Sequence, residues 1–211
     1  MEWGAVTYLS HSKYGINKEV AINSASTYTT GCGPQSEGST DSGETCNSYT
    51  TALGQSASTT GNVYGVYDMS GGAWEHMMSN MVYGSGEEQM SGYGTVQNAN
   101  SAFEGYLGQN GRFFYGYTFP SKRYYDKYSY GRSETEYTRG KLGDATKEMA
   151  PTGTTGNWYS DYADFVKLYY PWFKRGGYCL SGANAGAFHF QSDNGNASIY
   201  YSARAVISNL N

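Results

Sequence analysis

The sequence predicts one loop-rich α+β domain, and its composition, periodicity and turn residues each support this class. The 211-residue chain contains 29 Gly and 23 Tyr, and only 38% of its residues are apolar. Because aliphatic residues are few, Tyr, Trp and Phe must provide much of the buried area. Neither a linker between two apolar cores nor a repeat of fixed period occurs, so a single domain over residues 1–211 is expected.

The charge distribution argues against nucleic-acid binding. The net charge is -4 and the 14 basic residues are dispersed, so no cationic patch is available to neutralise phosphates. No run of 18 apolar residues predicts a membrane span. The N-terminus lacks a basic stretch followed by an apolar core, so no signal peptide is predicted in this sequence. Because Glu2-Trp3 already reads as structured, the chain is expected to be part of a longer protein.

The first predicted element is an amphipathic helix. Trp3, Val6 and Leu9 recur at three-residue spacing, which is typical of a helix over residues 2–11. Gly15 is the predicted stop signal after it.

The elements that follow are predicted from alternation and from turn residues. Residues 19–28 alternate as in a strand, and residues 32–60 have the Ser, Thr and Gly content of a long surface loop. A turn at 62–65 and a short apolar element at 66–69 precede a predicted strand at 74–78.

The second half of the chain alternates between irregular and ordered segments. Residues 83–130 read as an insertion-like loop whose second part is dense in aromatic residues. A turn is expected at 142–146, and residues 158–170 fit either a strand or a short helix around 161–168. From residue 175 onwards, glycines and asparagines predict short strands joined by tight turns.

The three cysteines suggest one disulfide and one remaining thiol. Cys32 and Cys46 flank a polar loop, and closing it would contribute about 3 kcal/mol in the chain-entropy model. A Cys32–Cys46 disulfide would indicate an oxidising compartment outside the cytoplasm, whereas two free thiols are the alternative. Cys179 is left over.

No sequence motif predicts a catalytic or metal site. His11, His76 and His189 stand alone, without the spacing that places two ligands on one face. The run at 193–196 is rich in oxygen ligands but lacks the spacing of an EF-hand loop, so a structural calcium ion is an open alternative and no cofactor is predicted. Cys179 has no neighbouring base in the sequence, so no catalytic residue is assigned.

The C-terminal segment has the composition of a recognition surface. Residues 175–204 combine a Gly-Gly pair, a polar run at 191–196 and the pair Tyr200-Tyr201. On a rigid β scaffold, Tyr offers amphipathic contact area at low entropic cost, and Ser and Asn offer adaptable hydrogen bonds. This composition favours ligand binding, with an ordinary surface loop region as the alternative.

Three segments resemble one known family. Residues 61–75 read GNVYGVYDMSGGAWE, residues 175–177 read RGG, and Ala203-Arg204 stands near the end. These segments resemble the formylglycine-generating-enzyme subfamily of the C-type lectin fold, and Glu2-Trp3 is similar to the end of that family's N-terminal helix. The resemblance implies two helices, small twisted antiparallel sheets and much irregular loop structure.

The departures from that family argue against enzymatic activity. Sulfatase-activating members use two cysteines in the closing segment, and this chain has Cys179 alone there. The histidine set of the related sulfoxide synthases is absent, Gly72-Ala73 replaces Asn-Val, and Ala203 replaces Phe. The resemblance therefore points to the non-enzymatic branch of the subfamily.

That branch includes the variable proteins of diversity-generating retroelements, in which AAC codons near the 3′ end of the gene are randomised to NNC. NNC codons cannot encode Met, Trp, Lys, Glu or Gln, and residues 178–204 contain only Gln191 of these five types. A variable ligand-binding segment is accordingly placed at 178–201. Its predicted diversified, ligand-binding residues are Tyr178, Cys179, Leu180, Ser181, His189, Ser192, Asp193, Ser198, Tyr200 and Tyr201.

The function expected from this reasoning is that of an adhesin or receptor-binding protein. It would be monomeric and displayed on a bacterial surface or phage virion, with a protein or glycan as its ligand. The alternatives are a fixed pilus or tail subunit of the same fold, and a formylglycine-type oxidase acting through Cys179.

Overall fold

The architecture comes from a computed structural model that describes residues 2–24, 47–83, 126–130, 143–165, 172–193 and 197–205. Its helices and strands are α1 (Glu2–Ser10), α2 (Ala52–Gln55), β1 (Trp74–Tyr83), β2 (Asp126–Tyr130), β3 (Thr152–Gly153), β4 (Ala163–Asp164), β5 (Trp172–Gly176), β6 (Gly186–Asp193) and β7 (Tyr201–Ser202). Short 3-10 turns lie at Trp158–Ser160 and Gly182–Asn184. This mixture of helices and strands confirms the α+β class.

The strands form one mixed sheet. Their order is β2-β1-β5-β6-β4-β3, with β7 beside β1. The β1–β5, β5–β6 and β3–β4 pairs are antiparallel, whereas β1–β2, β1–β7 and β4–β6 are parallel. The sheet therefore differs from the antiparallel sheets that were expected. Parallel pairs require long crossover connections, and the segments between β1 and β2, β1 and β7, and β4 and β6 are long enough to provide them.

The core lies on one face of β5 and β6 and is mainly aromatic. Phe173, Phe188 and Phe190 are at most 1% exposed. Phe173 and Phe190 stack with their centroids 5.2 Å apart, and Phe165 meets Phe190 edge to face at 5.8 Å. Each such buried ring stabilises the fold by about 1.5–3 kcal/mol, which compensates for the scarcity of aliphatic residues.

Helix α1 packs on this core through a face that differs from the predicted one. Trp3 is buried and its indole N–H donates to the Ala187 carbonyl at 2.7 Å. Thr7 and Ser10 are fully buried, whereas Leu9 is 38% exposed. The Thr7 hydroxyl donates to the Trp3 carbonyl at 2.9 Å, so the polar side chain enters the core already hydrogen-bonded. The helix was thus predicted correctly and its buried face only in part.

The segments after α1 are less regular than predicted. The described part of the strand expected at 19–28 forms isolated bridges instead of a strand, among them one between Asn23 and Gly71. The prediction of a surface loop at 32–60 is wrong at the C-terminal end of that range, because Ala57, Ser58 and Thr59 are at most 1% exposed. Backbone bonds explain the burial: Ile16 N–H donates to the Thr59 carbonyl, and Thr59 N–H to the Val66 carbonyl, both at 2.9 Å.

Other local predictions agree with the described residues. Strand β1 confirms the strand expected at 74–78 and extends it to Tyr83. At the turn predicted for 62–65, the Asn62 side chain accepts a hydrogen bond from Tyr64 N–H at 2.9 Å. The region at 158–165 contains a 3-10 turn and the short strand β4 rather than one longer element. The short strands expected after residue 175 are present as β6 and β7.

Several predictions lie outside the described residues. The Cys32–Cys46 disulfide and most of the insertion at 83–130 are in this group. The last residues of that insertion form β2, which pairs with Ser79–Tyr83 of β1 in parallel.

Candidate ligand-binding site

The candidate site is built on the face of β5 and β6 opposite the aromatic core. Lys174 of β5 and Asp193 of β6 are 4% exposed, and the lysine Nζ lies 2.9 Å from the Asp193 Oδ2. The Tyr201 hydroxyl completes a triangle, since it accepts from Lys174 Nζ at 2.8 Å and donates to Asp193 Oδ2 at 2.8 Å. Because the charged groups satisfy one another, this network is a closed base rather than a free ion-binding site.

Aromatic rings cover the Lys174 ammonium group. The nitrogen lies 4.0 Å from the Trp74 ring centroid and 4.3 Å from that of Tyr201, in cation–π geometry. Burial lowers the pKa of Lys174, while the Asp193 carboxylate opposes that shift. Burial, reinforced by the hydrogen bond to Asp193, raises the pKa of Tyr201, so its hydroxyl remains protonated at neutral pH.

Trp74 links this base to the surface loops. Its ring stacks on Tyr178, with the centroids 4.0 Å apart and the planes 19° from parallel. Tyr178 in turn meets Tyr200 edge to face at 5.4 Å. Tyr201 contacts both Trp74 and His76 edge to face, at 5.7 and 4.9 Å. We call Trp74, Tyr178, Tyr200 and Tyr201 the aromatic platform.

His189 is a buried structural residue beneath this platform. Its Nδ1 lies 2.7 Å from the Asn184 carbonyl, and its Nε2 lies 3.4 Å from the Trp74 indole nitrogen. Indole is only a donor, so Nε2 accepts and Nδ1–H donates, which defines a neutral tautomer. Burial lowers the pKa of His189 to about 4, consistent with that neutral state. The histidine thereby fixes the loop that carries Asn184.

Exposed residues lie close to the platform tyrosines in the sequence. Leu180 is 41% exposed and Ile199 is 75% exposed, while Ser181 and Ser198 are partly exposed beside them. We call Leu180 and Ile199 the apolar rim. Large exposed apolar side chains grouped around aromatic rings are typical of an interaction surface.

The structure divides the ten predicted ligand-binding residues into two groups. The buried group carries side chains at most 8% exposed and consists of Cys179, His189, Ser192 and Asp193. The exposed or partly exposed group consists of Tyr178, Leu180, Ser181, Ser198, Tyr200 and Tyr201. In the second group, Tyr178, Tyr200 and Tyr201 belong to the platform, and Leu180, Ser181 and Ser198 are their neighbours in the sequence. Buried side chains already in hydrogen bonds, such as Ser192 with Asp164 at 2.8 Å, have no surface to offer a ligand.

Sequence reasoning missed Trp74, Lys174 and Ile199. Trp74 and Lys174 lie on β1 and β5, and the antiparallel pairing of His76 with Lys174 brings them together. The sequence around Trp74 and Lys174 does not predict that contact. Ile199 lies inside the segment predicted to vary, and its position between Ser198 and Tyr200 was the available signal.

Residues in the segments that resemble the family join parts of the scaffold around the site. Arg204 donates to both carboxylate oxygens of Glu75 and, at 2.9 Å, to the Tyr67 carbonyl. This pairing joins the segment at 61–75 to the segment after β7. Gly177 has φ of 75°, and a Cβ there would lie 2.8 Å from that of Ala185, so a glycine is required at the entry to the platform loop.

The described residues contain no group of three or more His, Cys, Asp or Glu side chains positioned to hold a metal ion. Within the same residues, no helix has both the length and the apolar content to cross a membrane. Comparison of the chain with protein-family models, curated proteins and solved structures finds no match.

Proposed function

We propose that this protein is a ligand-binding protein, an adhesin or receptor-binding module, that grips its ligand with the aromatic platform and the apolar rim. The observation that carries the proposal is the contrast between the two layers of the site. The base is closed, with Lys174, Asp193 and Tyr201 bonded to one another at 2.8–2.9 Å. The layer above it exposes Leu180 and Ile199 to solvent.

This contrast suits a surface whose residues change while its scaffold stays constant. A side chain on the rim has few internal contacts, so its replacement costs little stability. A replacement at Asp193 would leave the buried Lys174 without its counter-ion and would be strongly destabilising. We propose that the C-terminal face is diversified by a retroelement, on a C-type-lectin-fold scaffold displayed on a bacterial surface or phage virion as a monomer.

The placement of Cys179 supports binding over catalysis. Its side chain is 8% exposed, and no other cysteine lies within the described residues. An oxidase acting through this thiol would need it to be accessible to substrate. The binding proposal requires only a fixed loop, and the Cys179 backbone N–H donates to the Gly72 carbonyl at 2.9 Å.

Sequencing the DNA beside the gene tests the diversification. We expect a near-copy of the segment that encodes residues 178–204, differing at adenines, together with a reverse transcriptase gene. The differences should fall on the codons of the exposed residues Tyr178, Leu180, Ser181, Ser198 and Tyr200. The absence of such a copy would overturn diversification and leave a fixed adhesin or structural subunit.

Alanine substitutions test ligand binding itself. The wild-type chain is screened against a peptide-display library and a glycan array, and the retained ligands are titrated against each variant. Tyr178→Ala and Leu180→Ala are each expected to weaken binding about tenfold or more, because central aromatic and apolar anchors dominate interface energies. The matched control is Tyr64→Ala, which removes a ring that is 91% exposed elsewhere on the chain. Equal losses in all three variants would contradict the assignment of the surface.

A further inference from the structure

A buried carboxyl group lies at the junction between β6 and the 3-10 turn at Trp158–Ser160. Asp161 is fully buried, and its Oδ2 accepts a hydrogen bond from Phe188 N–H at 2.9 Å. The backbone N–H of His189, as distinct from its ring, also interacts with the Asp161 carboxyl group. A Cβ at position 186 would lie 2.0–2.1 Å from the two carboxyl oxygens, so Gly186 is what makes room for this group.

A second carboxyl group faces Asp161. Glu19 lies on the segment after α1, and its side chain is within hydrogen-bonding reach of the aspartate. Glu19 Oε1 and Asp161 Oδ1 are both buried without a hydrogen-bond partner among the described residues. Two ionised carboxylates only accept hydrogen bonds, so a bond between them requires a proton on one of them. A single proton between the two groups would satisfy both orphaned oxygens.

The groups that surround this pair do not replace that proton. Arg175 of β5 acts on Asp161 through its charge, and its guanidinium group donates to four backbone carbonyls. His189 is neutral, as its tautomer shows. Burial lowers the pKa of His11, which keeps that ring neutral as well. Among the described residues, Tyr159 is a further titratable neighbour, and the charges of both carboxyl groups raise its pKa in addition to burial.

We propose that Glu19 and Asp161 share one proton at neutral pH and that the resulting hydrogen bond holds the segment after α1 against β6. Loss of this proton at alkaline pH breaks the hydrogen bond and lets the segment move away from β6. Glu19 is the member that moves, because it is only partly buried whereas Asp161 is enclosed by β6. Two charges at this site would repel each other in a medium of low dielectric constant.

The protonation equilibria agree with this geometry. Burial, followed by the charge of Glu19, raises the pKa of Asp161 to about 8, and burial raises the pKa of Glu19. The folded state therefore keeps a proton that the unfolded state has already lost between pH 3.8 and about 8. Stability falls as the pH rises through that window.

The histidines act in the opposite direction over part of the range. Burial lowers the pKa values of His11, His76 and His189, so these rings favour the unfolded state below about pH 6.5. Their contribution to stability rises with pH up to that value. The loss due to the carboxyl pair is therefore best seen between pH 6.5 and 8.

Urea unfolding across this pH range tests the shared proton. For the wild-type chain, the unfolding equilibrium constant is expected to increase about tenfold from pH 6.5 to pH 8. In Glu19→Gln and Asp161→Asn, an amide N–H replaces the shared proton, so this increase should disappear. The control is Glu2→Gln, which removes an exposed carboxyl group of α1 and should retain the wild-type increase. An increase that persists unchanged in Glu19→Gln and Asp161→Asn would overturn the proposal.

A measurement on the unaltered protein keeps the test independent of the variants. Carboxyl ¹³C chemical shifts of Glu19 and Asp161 are followed from pH 3 to pH 10. We expect coupled titrations with one apparent midpoint in the acidic range and one near pH 8, both seen at both residues. If both carboxyl groups lose their protons below pH 5, no proton is shared and the inference is wrong.

Discussion

Replacement of Arg175 by Met is expected to lower the free energy of unfolding by about 3–5 kcal/mol. The side chain is 2% exposed. Its Nε donates to the His189 carbonyl, Nη1 to Asp144, and Nη2 to Ala145 and Ala187, at 3.0–3.3 Å. Met would fill much of the volume but would remove the guanidinium donors to the buried His189, Asp144 and Ala145 carbonyls. The Ala187 carbonyl would keep the Trp3 indole donor. The loss should appear as a lower urea midpoint with an unchanged m-value.

A lysine at position 175 separates the effect of the positive charge from that of the planar guanidinium group. Arg175 also lies over the rings of Trp3, Phe173 and Phe190, with its central carbon 5.5–5.9 Å from their centroids. Arg175→Lys keeps the charge but cannot spread donors over carbonyls on several segments, so an intermediate loss is expected. Lys13→Met removes an exposed cationic side chain and should change the stability by less than about 0.5 kcal/mol. If Arg175→Met lowers the free energy of unfolding by less than about 1 kcal/mol, the hydrogen bonds of Arg175 are not a main source of stability.

Local signals explain which elements were predictable from the sequence. Helix α1 follows from the spacing of Trp3 and Val6, and the turns at residue 62 and at Gly177 follow from residues with special backbone preferences. The buried face of α1 was harder to predict, because Thr7 and Ser10 enter the core through hydrogen bonds to nearby backbone carbonyls. Hydrophobicity alone does not indicate such burial.

The composition of the candidate site depends on contacts that have no local signature. The alternation of Phe188, His189 and Phe190 predicts one buried and one exposed face on β6. Both faces are in fact covered, since Trp74 from β1 and Lys174 from β5 lie over the polar one. His189 and Asp193 were predicted to bind ligand from the composition of the variable segment, and both are buried in the structure.

Three residues of the segments that resemble the family, Arg175, Gly177 and Arg204, lie in the scaffold and outside the aromatic platform. Arg175 and Arg204 each join segments that are distant in the sequence, through backbone carbonyls and through the carboxylate of Glu75, whereas Gly177 permits a tight turn beside Ala185. Residues that tie the chain together are constrained by many partners at once. The rim residue Ile199, at 75% exposure, has no comparable constraint.

Phe188→Ala is expected to destabilise the fold by about 3–5 kcal/mol, the range for truncation of a buried aromatic ring. The Phe188 ring is fully buried between α1 and the turn at Trp158–Ser160. Its centroid lies 5.0–6.3 Å from the ring centroids of Tyr8, His11, Trp158 and Tyr159. The cavity would separate β6 from both of its neighbours on that face, and thermal unfolding should show the loss as a lower Tm.

The same substitution separates stability from ligand binding. Phe188 points away from the aromatic platform, because it packs in the core with Phe173 and Phe190 while its neighbour His189 contacts Trp74. Below its Tm, the Phe188→Ala protein should therefore bind a platform ligand with near wild-type affinity. Phe188→Leu retains most of the buried volume and should cost about half as much stability. A loss of affinity in the folded Phe188→Ala protein, with stability unchanged, would contradict this division between the two faces of β6.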